Sequence, residues 1–573
     1  MDTRQNGTRV NRRTLIGGAA AGAAGLSLAQ WQARAGAHGV DFTSARVVQR
    51  QGQPGGTLVY GLGFDVDGTL DPQVTNYDST IRVTLNICEP LVWQPNATDF
   101  IPGLAESWTI SEDGTEYTFV LKQGVTFHDG TPFTAEAVQF TFDRVVAGDI
   151  AAAGGTPTVG GTPDASMVIV PGQCHDQLGP YDHCEIIDDH TVKVVLKTAF
   201  APFLSGLNGY LGIVSPTAVR TMGLEAFARA PVGTGPFIFQ DWIEADHITV
   251  TKNPNYSWGS SAFANPGAAY FDSIEFRVID DISVRTGTVT TDETQYIDSI
   301  DGLQLPDLEA NSDVTVIKQA QPGAGQLMEM NLIRQTPVAE LAVRQAMHYA
   351  LDKEALNQAA YGGLNIAAAS PLMKPTLGYE PLTEGKFTYD VEKANQLLDE
   401  AGWVMDGDYR AKDGVALELY YPLQEREPDK GTATFLQGAW QAVGIKLNLE
   451  IMERGRLREV IRDEGNYDVT GMWFSYADPD VLRTIFWSQN LAGFNRAKLQ
   501  DAEVDGWLEQ AYQTNDDAMR VQLYSQVQMK VLDLVACIPM VDTFGYNAKV
   551  SRMQGDQLDF LASYVFLNSA YFE

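Results

Sequence analysis

The chain is poor in the residues that most enzyme chemistries require. Its 573 residues include seven histidines and four cysteines, and no Walker A loop, H-E-x-x-H pair or G-x-S-x-G elbow occurs. These absences exclude the common phosphate-loop, zinc-protease and serine-hydrolase sites. Basic residues are also scarce: 40 Lys and Arg face 73 Asp and Glu, a formal net charge of −33. Nucleic acid and anionic membranes would be repelled by that field. It favours cations at long range, although solubility or a salty or acidic habitat accounts for it more simply. Long apolar runs are missing too, because the stretch from Gly17 to Ala29 is too short and too rich in Gly and Ala to span a membrane. What is present, 44% hydrophobic and 20% charged residues, is ordinary globular composition over a length that allows several domains.

The weakly hydrophobic run has a meaning of its own. Arg12-Arg13-Thr14-Leu15-Ile16 precedes it and Ala33-Arg34-Ala35 follows as an A-x-A cleavage site. Paired arginines at that place read as a twin-arginine export signal, with an ordinary secretory leader as the alternative. Residues 1–35 are thus expected to be an export signal and 36–53 a linker, leaving a mature protein that works outside the cytoplasm. Without the five arginines and one aspartate of residues 1–35 the net charge becomes −37.

In an exported chain the close pair Cys174 and Cys184, within a Gly- and Pro-rich segment, is expected to form a disulfide. Closing so short a loop would contribute about 2.5–3 kcal/mol in the chain-entropy picture. His175 and His183 lie just inside the pair, but the flanks lack zinc-ligand spacing. Cys88 and Cys537 read as buried thiols.

The chain is organised around Ile101 to Arg144. Leu104 to Ile110 alternates, Asp113-Gly114 supplies a turn, and Tyr117 to Leu121 alternates again, which predicts a hairpin. Thr134 then opens a predicted helix with Val138, Phe142 and Val145 on one face. Leu104-Ala105 with Trp108, the Asp113-Gly114 turn, Tyr117-Thr118-Phe119 and Gly124-Val125-Thr126-Phe127-His128-Asp129-Gly130 stand in the signature order of one family. The chain resembles a family 5 extracellular solute-binding protein, the peptide- and nickel-binding receptors of ABC importers. Val232-Gly233-Thr234-Gly235-Pro236-Phe237 and Asn253-Pro254-Asn255-Tyr256-Ser257-Trp258-Gly259 continue that order, and the likeness extends from about Gly56 to Tyr546. No cysteine precedes Cys88, so the lipid-anchored form of the family is not expected.

One enzyme motif competes. The predicted first strand, Thr57 to Phe64, runs into Asp65-Val66-Asp67-Gly68-Thr69-Leu70, which resembles the nucleophile motif of haloacid-dehalogenase-type phosphatases. There Asp65 would attack phosphorus and Asp67 would act as acid and base beside magnesium. The remaining phosphatase elements cannot be placed, and Leu70-Asp71-Pro72 is what the solute-binding family shows after its first strand. Asp65, Asp67 and Asp71 also lack the later Glu of a calcium loop. His128 beside Asp129 could be a dyad, but belongs to the fold signature and reads as turn-stabilising.

Further on, Ile186 to Leu196 alternates as a strand, and Gly233 and Gly235 predict a tight turn into the strand from Phe237 to Trp242. From about Asp280 helices and strands alternate. A helix is predicted from Pro337 to Tyr361, ended by Gly362-Gly363, and another from Asp501 to Val535, before a return strand from Cys537 to Thr543. The expected architecture is α/β: a two-lobed periplasmic-binding-protein clamshell, type II-like with an enlarged first lobe and a two-segment hinge. The first lobe is placed at 54–277, the second at 278–542, and 543–573 returns to the first.

The resemblance implies a non-enzymatic receptor that needs no cofactor, a monomer that hands its ligand to a membrane permease. Peptide receptors of the family hold the two termini with an acidic and a basic residue of the second lobe. Pro422-Leu423-Gln424-Glu425-Arg426 matches where the carboxylate arginine stands, with Glu425 as an apparent insertion. Gly471 to Asp480 matches the segment that supplies the aspartate for the ammonium. Arg426, Asp478, Trp473 and Tyr476 are the expected ligand-binding residues, and a di- or oligopeptide the expected ligand. A nickel chelate, an oligosaccharide and an amino-acid conjugate are the alternatives, with the phosphatase of Asp65 and Asp67 outside the class.

Overall fold

A computed structural model describes residues 54–573, except residue 76 and the segments 153–157, 161, 164–173, 209–210 and 426–427. The expected export signal and linker, and Arg426, lie outside the described residues.

The first lobe is built on a seven-stranded sheet. Its strand order is Phe237–Ile243, His247–Lys252, Ser273–Val278, Thr57–Leu62, Tyr296–Asp298, Phe544–Val550 and Val314–Ala320. Thr57–Leu62 runs parallel to both neighbours, and Leu58, Tyr60 and Leu62 are fully buried among residues of the main core. Strands 296–298 and 314–320 belong to this sheet, so the lobe continues to Ala320, well past the expected crossing at 277/278. The texture change near Asp280 marks an added helix–strand unit of the same lobe rather than a second one.

A second, four-stranded antiparallel sheet contains the predicted hairpin as Ala105–Ile110 and Glu116–Leu121. Tyr117, Phe119 and Leu121 share a core with Val138, Phe142 and Val145 of the helix Ala135–Ala152. The alternating run to Leu196 is not one strand but two, Tyr181–Asp188 and Thr191–Leu196. Asp188 accepts the His190 N–H at 2.8 Å, the local bond of an Asx turn.

Gly233 and Gly235 serve close approach rather than a left-handed turn. A Cβ at Gly233 would meet the Ile87 carbonyl oxygen at 2.2 Å, and one at Gly235 the Asn86 carbonyl oxygen at 2.6 Å. Only glycine lets the two backbones lie so near.

The second lobe centres on Gly323–Met330, flanked by Cys537–Asp542 on one side and Val469–Ser475 on the other. A parallel pair, Glu418–Gln424 with Lys446–Met452, adds the α/β character. Each long predicted helix is interrupted by an aspartate cap. Asp352 caps Lys353–Tyr361 by accepting the Ala355 N–H, and separates it from Leu341–Tyr349. Asp516 likewise caps Asp517–Asp533 and parts it from Ala502–Tyr512. An aspartate that can satisfy free helix amides starts a new helix where apolar periodicity alone reads as continuous.

Candidate functional site

The chain passes between the lobes at Gln321–Pro322 and again at Thr543, and the two crossings are tied by the Gln321 N–H donating to the Thr543 carbonyl at 3.2 Å. Second-lobe residues of the predicted site converge on these crossings. Trp473, on Val469–Ser475, donates its indole N–H to Thr543 Oγ1 at 3.1 Å. The Tyr476 N–H donates to the Pro322 carbonyl at 3.3 Å, and its buried ring packs edge-on against Phe474. Trp473 and Tyr476 thus flank the hinge. The next residue, Ala477, packs among Ile81, Leu85, Trp93 and Tyr564 of the first lobe.

Val469–Ser475 is the last strand of its sheet. Asp468 donates its N–H to the Tyr420 carbonyl, and Arg496 donates to the Gly471 carbonyl at 2.6 Å. From Met472 to Ser475 the outer edge has no strand partner among the described residues. Ser475 Oγ is buried without a hydrogen-bond partner. Nothing in the sequence pattern distinguishes Ser475 from an ordinary strand serine; its orphaned hydroxyl is a product of packing.

Asp478 is placed differently from the expectation of a free charge. It is buried, and its Oδ1 accepts from Arg520 Nη2 at 2.5 Å and from the Asp480 N–H at 2.8 Å. Its neighbour Asp480 binds Arg483 through Nε and Nη2 and accepts from the Tyr524 hydroxyl. Arg483 reaches across to the first lobe, its guanidinium 5.7 Å from the Phe200 ring centre, while the Ala201 N–H donates to the Tyr512 carbonyl at 2.7 Å. Asp478 and Asp480 therefore belong to an interlobe contact whose charges are already neutralised.

The first lobe's own charges near the carboxyl ends of its parallel strands are likewise paired. Asp298 accepts from Arg82 at 2.9 Å and lies 3.4 Å from Arg285. At the second crossing, burial pushes Asp542 up to about 7 and Lys353 down to about 8.

The competing motifs come apart. Asp65 accepts the Ala245 N–H at 2.7 Å on the surface, Asp67 accepts from Thr75, and Asp71 is buried against Arg144, so the three carboxylates do not form one cluster. Among the described residues no group of three or more His, Cys, Asp or Glu could hold a metal. His128 is buried and pushed down to about 4, with Nε2 on the Gly235 carbonyl, whereas Asp129 accepts from Ser215 and Thr131; the pair ties loops and does not interact as a dyad. Glu89, absent from the sequence expectations, gathers the family blocks: it accepts from Tyr256 at 2.6 Å, Thr234 at 2.9 Å and Trp258 at 3.0 Å.

The expected Cys174–Cys184 disulfide is not formed. All four cysteines are free and buried. Cys174 donates to the Pro72 carbonyl at 3.6 Å, while Cys184, in the strand Tyr181–Asp188, hydrogen-bonds Tyr181. Each thiol is held by a different neighbour in the core. His183 turns outward to Asp182 and Glu185.

Two lobes joined by two crossings, with a strand edge left open beside them, form a clamshell of the solute-binding class. The family model for bacterial extracellular solute-binding proteins, family 5 (middle region), matches residues 99–494, and the chain belongs to that family. The glutathione-binding protein GsiB of Escherichia coli (strain K12) is 29% identical over 486 residues, covering 82% of this chain and 86% of that protein. Among solved structures, the periplasmic binding protein DppA from Helicobacter pylori, in complex with the peptide STSA, aligns with TM-score 0.73 and 26% identity, covering 91% of this chain and 99% of that one. NikA from Brucella suis, in complex with Fe(III)-EDTA, shares the fold at TM-score 0.76 and 21% identity, covering 90% and 100%. The protein is a substrate-binding receptor of an ABC importer.

Proposed function

We propose that the receptor is exported by the twin-arginine route, acts as a monomer on the outer side of the cell membrane, and takes a short peptide or peptide-like conjugate into its cleft. The observation that carries this reading is the open edge from Met472 to Ser475 beside the hinge. Backbone N–H and C=O groups of a terminal strand pair with an extended peptide, and closure of the lobes removes water from those bonds. Trp473 and Tyr476 then line the bound backbone. The glutathione-binding and peptide-bound relatives support the same ligand class.

Arg426, which follows the strand Glu418–Gln424, receives the ligand's terminal carboxylate in this reading. The part assigned to Asp478 changes: with Oδ1 held by Arg520, it fixes the turn from Tyr476 to Asp480 instead of capturing an ammonium. Native mass spectrometry of protein recovered from outside the cytoplasm should show a co-purified small peptide or conjugate. Calorimetry refines it: C-amidation of a bound peptide should weaken binding at least roughly tenfold, as expected for losing a charged hydrogen bond, and N-acetylation should cost less. Equal affinity for free and amidated peptides would remove Arg426 from the site. A strictly metal-dependent or sugar ligand would replace the peptide reading.

A further inference from the structure

The second lobe carries a stripe of arginine that no carboxylate of the described residues neutralises. Arg454, Arg458 and Arg462 lie four residues apart along the helix Arg454–Glu459 and the π-helical turn Val460–Glu464 that prolongs it. Residues at that spacing share one face. None of the three has a salt-bridge partner among the described residues, whereas Arg456, on another face, is engaged by both Glu459 and Glu464. Like charges at this spacing repel, and the chain has acidic residues in nearly twofold excess with which it could have neutralised them.

The stripe starts at the cleft. Its helix follows the carboxyl end of Lys446–Met452, one of the parallel pair, where α/β sheets place their ligands. The Arg454 guanidinium stands 5.9 Å from the ring centre of Tyr77, a first-lobe residue. At the other end Arg462 lies over Phe494 at 4.8 Å, and Phe494 packs edge-on against Phe474 of the open-edged strand. Burial, then the charges of Arg458 and Arg496, push the Arg462 guanidinium down against the opposing charge of its neighbour Asp463, so the cations lie close together.

We infer that Arg458 and Arg462 form an anion subsite at the side of the cleft, which selects ligands with a carboxylate beyond the terminal one. Rather than the neutral or cationic peptides that the overall acidity favours, the preferred ligand is an acidic peptide or acidic amino-acid conjugate. A guanidinium pairs with a carboxylate through two parallel hydrogen bonds, and lobe closure strengthens them by excluding water. This inference rests on the peptide-like reading and sharpens it.

The test compares the wild type with R458Q/R462Q, using R456Q as a control outside the stripe, on an equimolar library of dipeptides and tripeptides read by native mass spectrometry. The wild type should retain chiefly members containing Asp or Glu, and should bind a Glu-containing peptide roughly tenfold or more tighter than its Gln counterpart. R458Q/R462Q should lose that discrimination while its thermal midpoint stays level or rises, and R456Q should keep it. Retention indifferent to acidic side chains, or unchanged in R458Q/R462Q, overturns the subsite. If the wild type retains no peptide at all, the peptide reading fails by itself. The same comparison with an ultrafiltrate of small bacterial metabolites then decides the subsite: anionic species must be retained by the wild type and lost by the variant, and any other result overturns it.

Discussion

Two groups of arginines in this molecule have opposite settings. Arg144 in the first lobe is buried and bound to Asp71, and Arg520 in the second is buried and bound to Asp478, with Asp517 farther off at 3.9 Å. Arg454, Arg458 and Arg462 have no such partner among the described residues, and the first and last of them lie over Tyr77 and Phe494. A buried guanidinium must be matched within the fold, because the desolvation penalty of an unmatched ion exceeds any single contact it makes. An exposed one such as Arg454 or Arg458, or a half-exposed one such as Arg462, can stay unmatched until a ligand arrives. The fate of an arginine here is read from its partner, not from its residue type.

The largest effects should come from breaking the matched pairs. Asp71→Ala removes the carboxylate bound to buried Arg144, and Asp478→Ala the nearer of the two at buried Arg520; each should cost about 3–5 kcal/mol of stability, measurable by denaturant titration. A loss below about 1 kcal/mol in either would show that water relieves the stranded charge. For Asp478→Ala, peptide affinity measured on the folded fraction separates a supporting role, in which N-acetylated and free peptides remain equally ranked, from direct capture of an ammonium.

Next in size is Glu89→Ala, which removes the acceptor shared by Tyr256, Thr234 and Trp258. Losing it should cost on the order of 3 kcal/mol, since buried donors are left unpaired. Thermal unfolding of Glu89→Gln, which keeps one acceptor oxygen, should fall between the variant and the wild type.

Acidity provides a third contrast. Burial raises Asp542 and Asp559 to about 7 and Glu329 to about 8, against about 4 in an unfolded chain. From pH 4 to 8 the folded state holds more protons at these sites, so each contributes less stability as pH rises through that window. His128, pushed down to about 4, works in the opposite direction from pH 4 to 6.5, and His348, also pushed down by burial, does so below 6.5. Lys353, at about 8, acts above the window. Between pH 8 and 6.5 the carboxyls dominate, so stability should rise on acidification by up to about 1.4 kcal/mol per pH unit for each group, and the thermal midpoint should rise with it. Asp542→Asn should flatten part of that slope. A midpoint that falls from pH 8 to 6.5 would contradict the burial of these carboxyls.

The smallest effects are expected on the surface and at the thiols. R456Q should leave the unfolding midpoint unchanged, because its ion pairs are solvent-exposed. Alkylation under native, non-reducing conditions should leave all four cysteines unmodified, and alkylation after unfolding without reductant should label all four; protection of Cys174 and Cys184 after unfolding would restore the disulfide.

The hairpin, the helix Ala135–Ala152 and the return strand Cys537–Asp542 were legible in the chain because each is a local event: alternation, an Asp-Gly turn, an apolar face at helical spacing. The breaks at Asp352 and Asp516 were local too, but apolar periodicity masked the caps. The lobe boundary was not legible, since membership of Tyr296–Asp298 and Val314–Ala320 in the first sheet depends on Phe544–Val550 arriving between them from more than two hundred residues away. The same limit applies to the site. Trp473 and Tyr476 could be singled out from their segment, and the spacing of Arg454, Arg458 and Arg462 is open to inspection.

By itself the sequence determined the family and the secondary structure that local patterns encode. Only the tertiary structure decided which charges are spent: that Asp478 belongs to Arg520, that Cys174 and Cys184 stay apart, that Asp65 and Asp67 never meet as a catalytic pair, and that Arg454, Arg458 and Arg462 have no ion-pair partner among the described residues. The physical reason is range. Helix and turn preferences act between residues a few positions apart, whereas the pairing of a charge depends on which distant segment packs beside it and on how much water that packing removes.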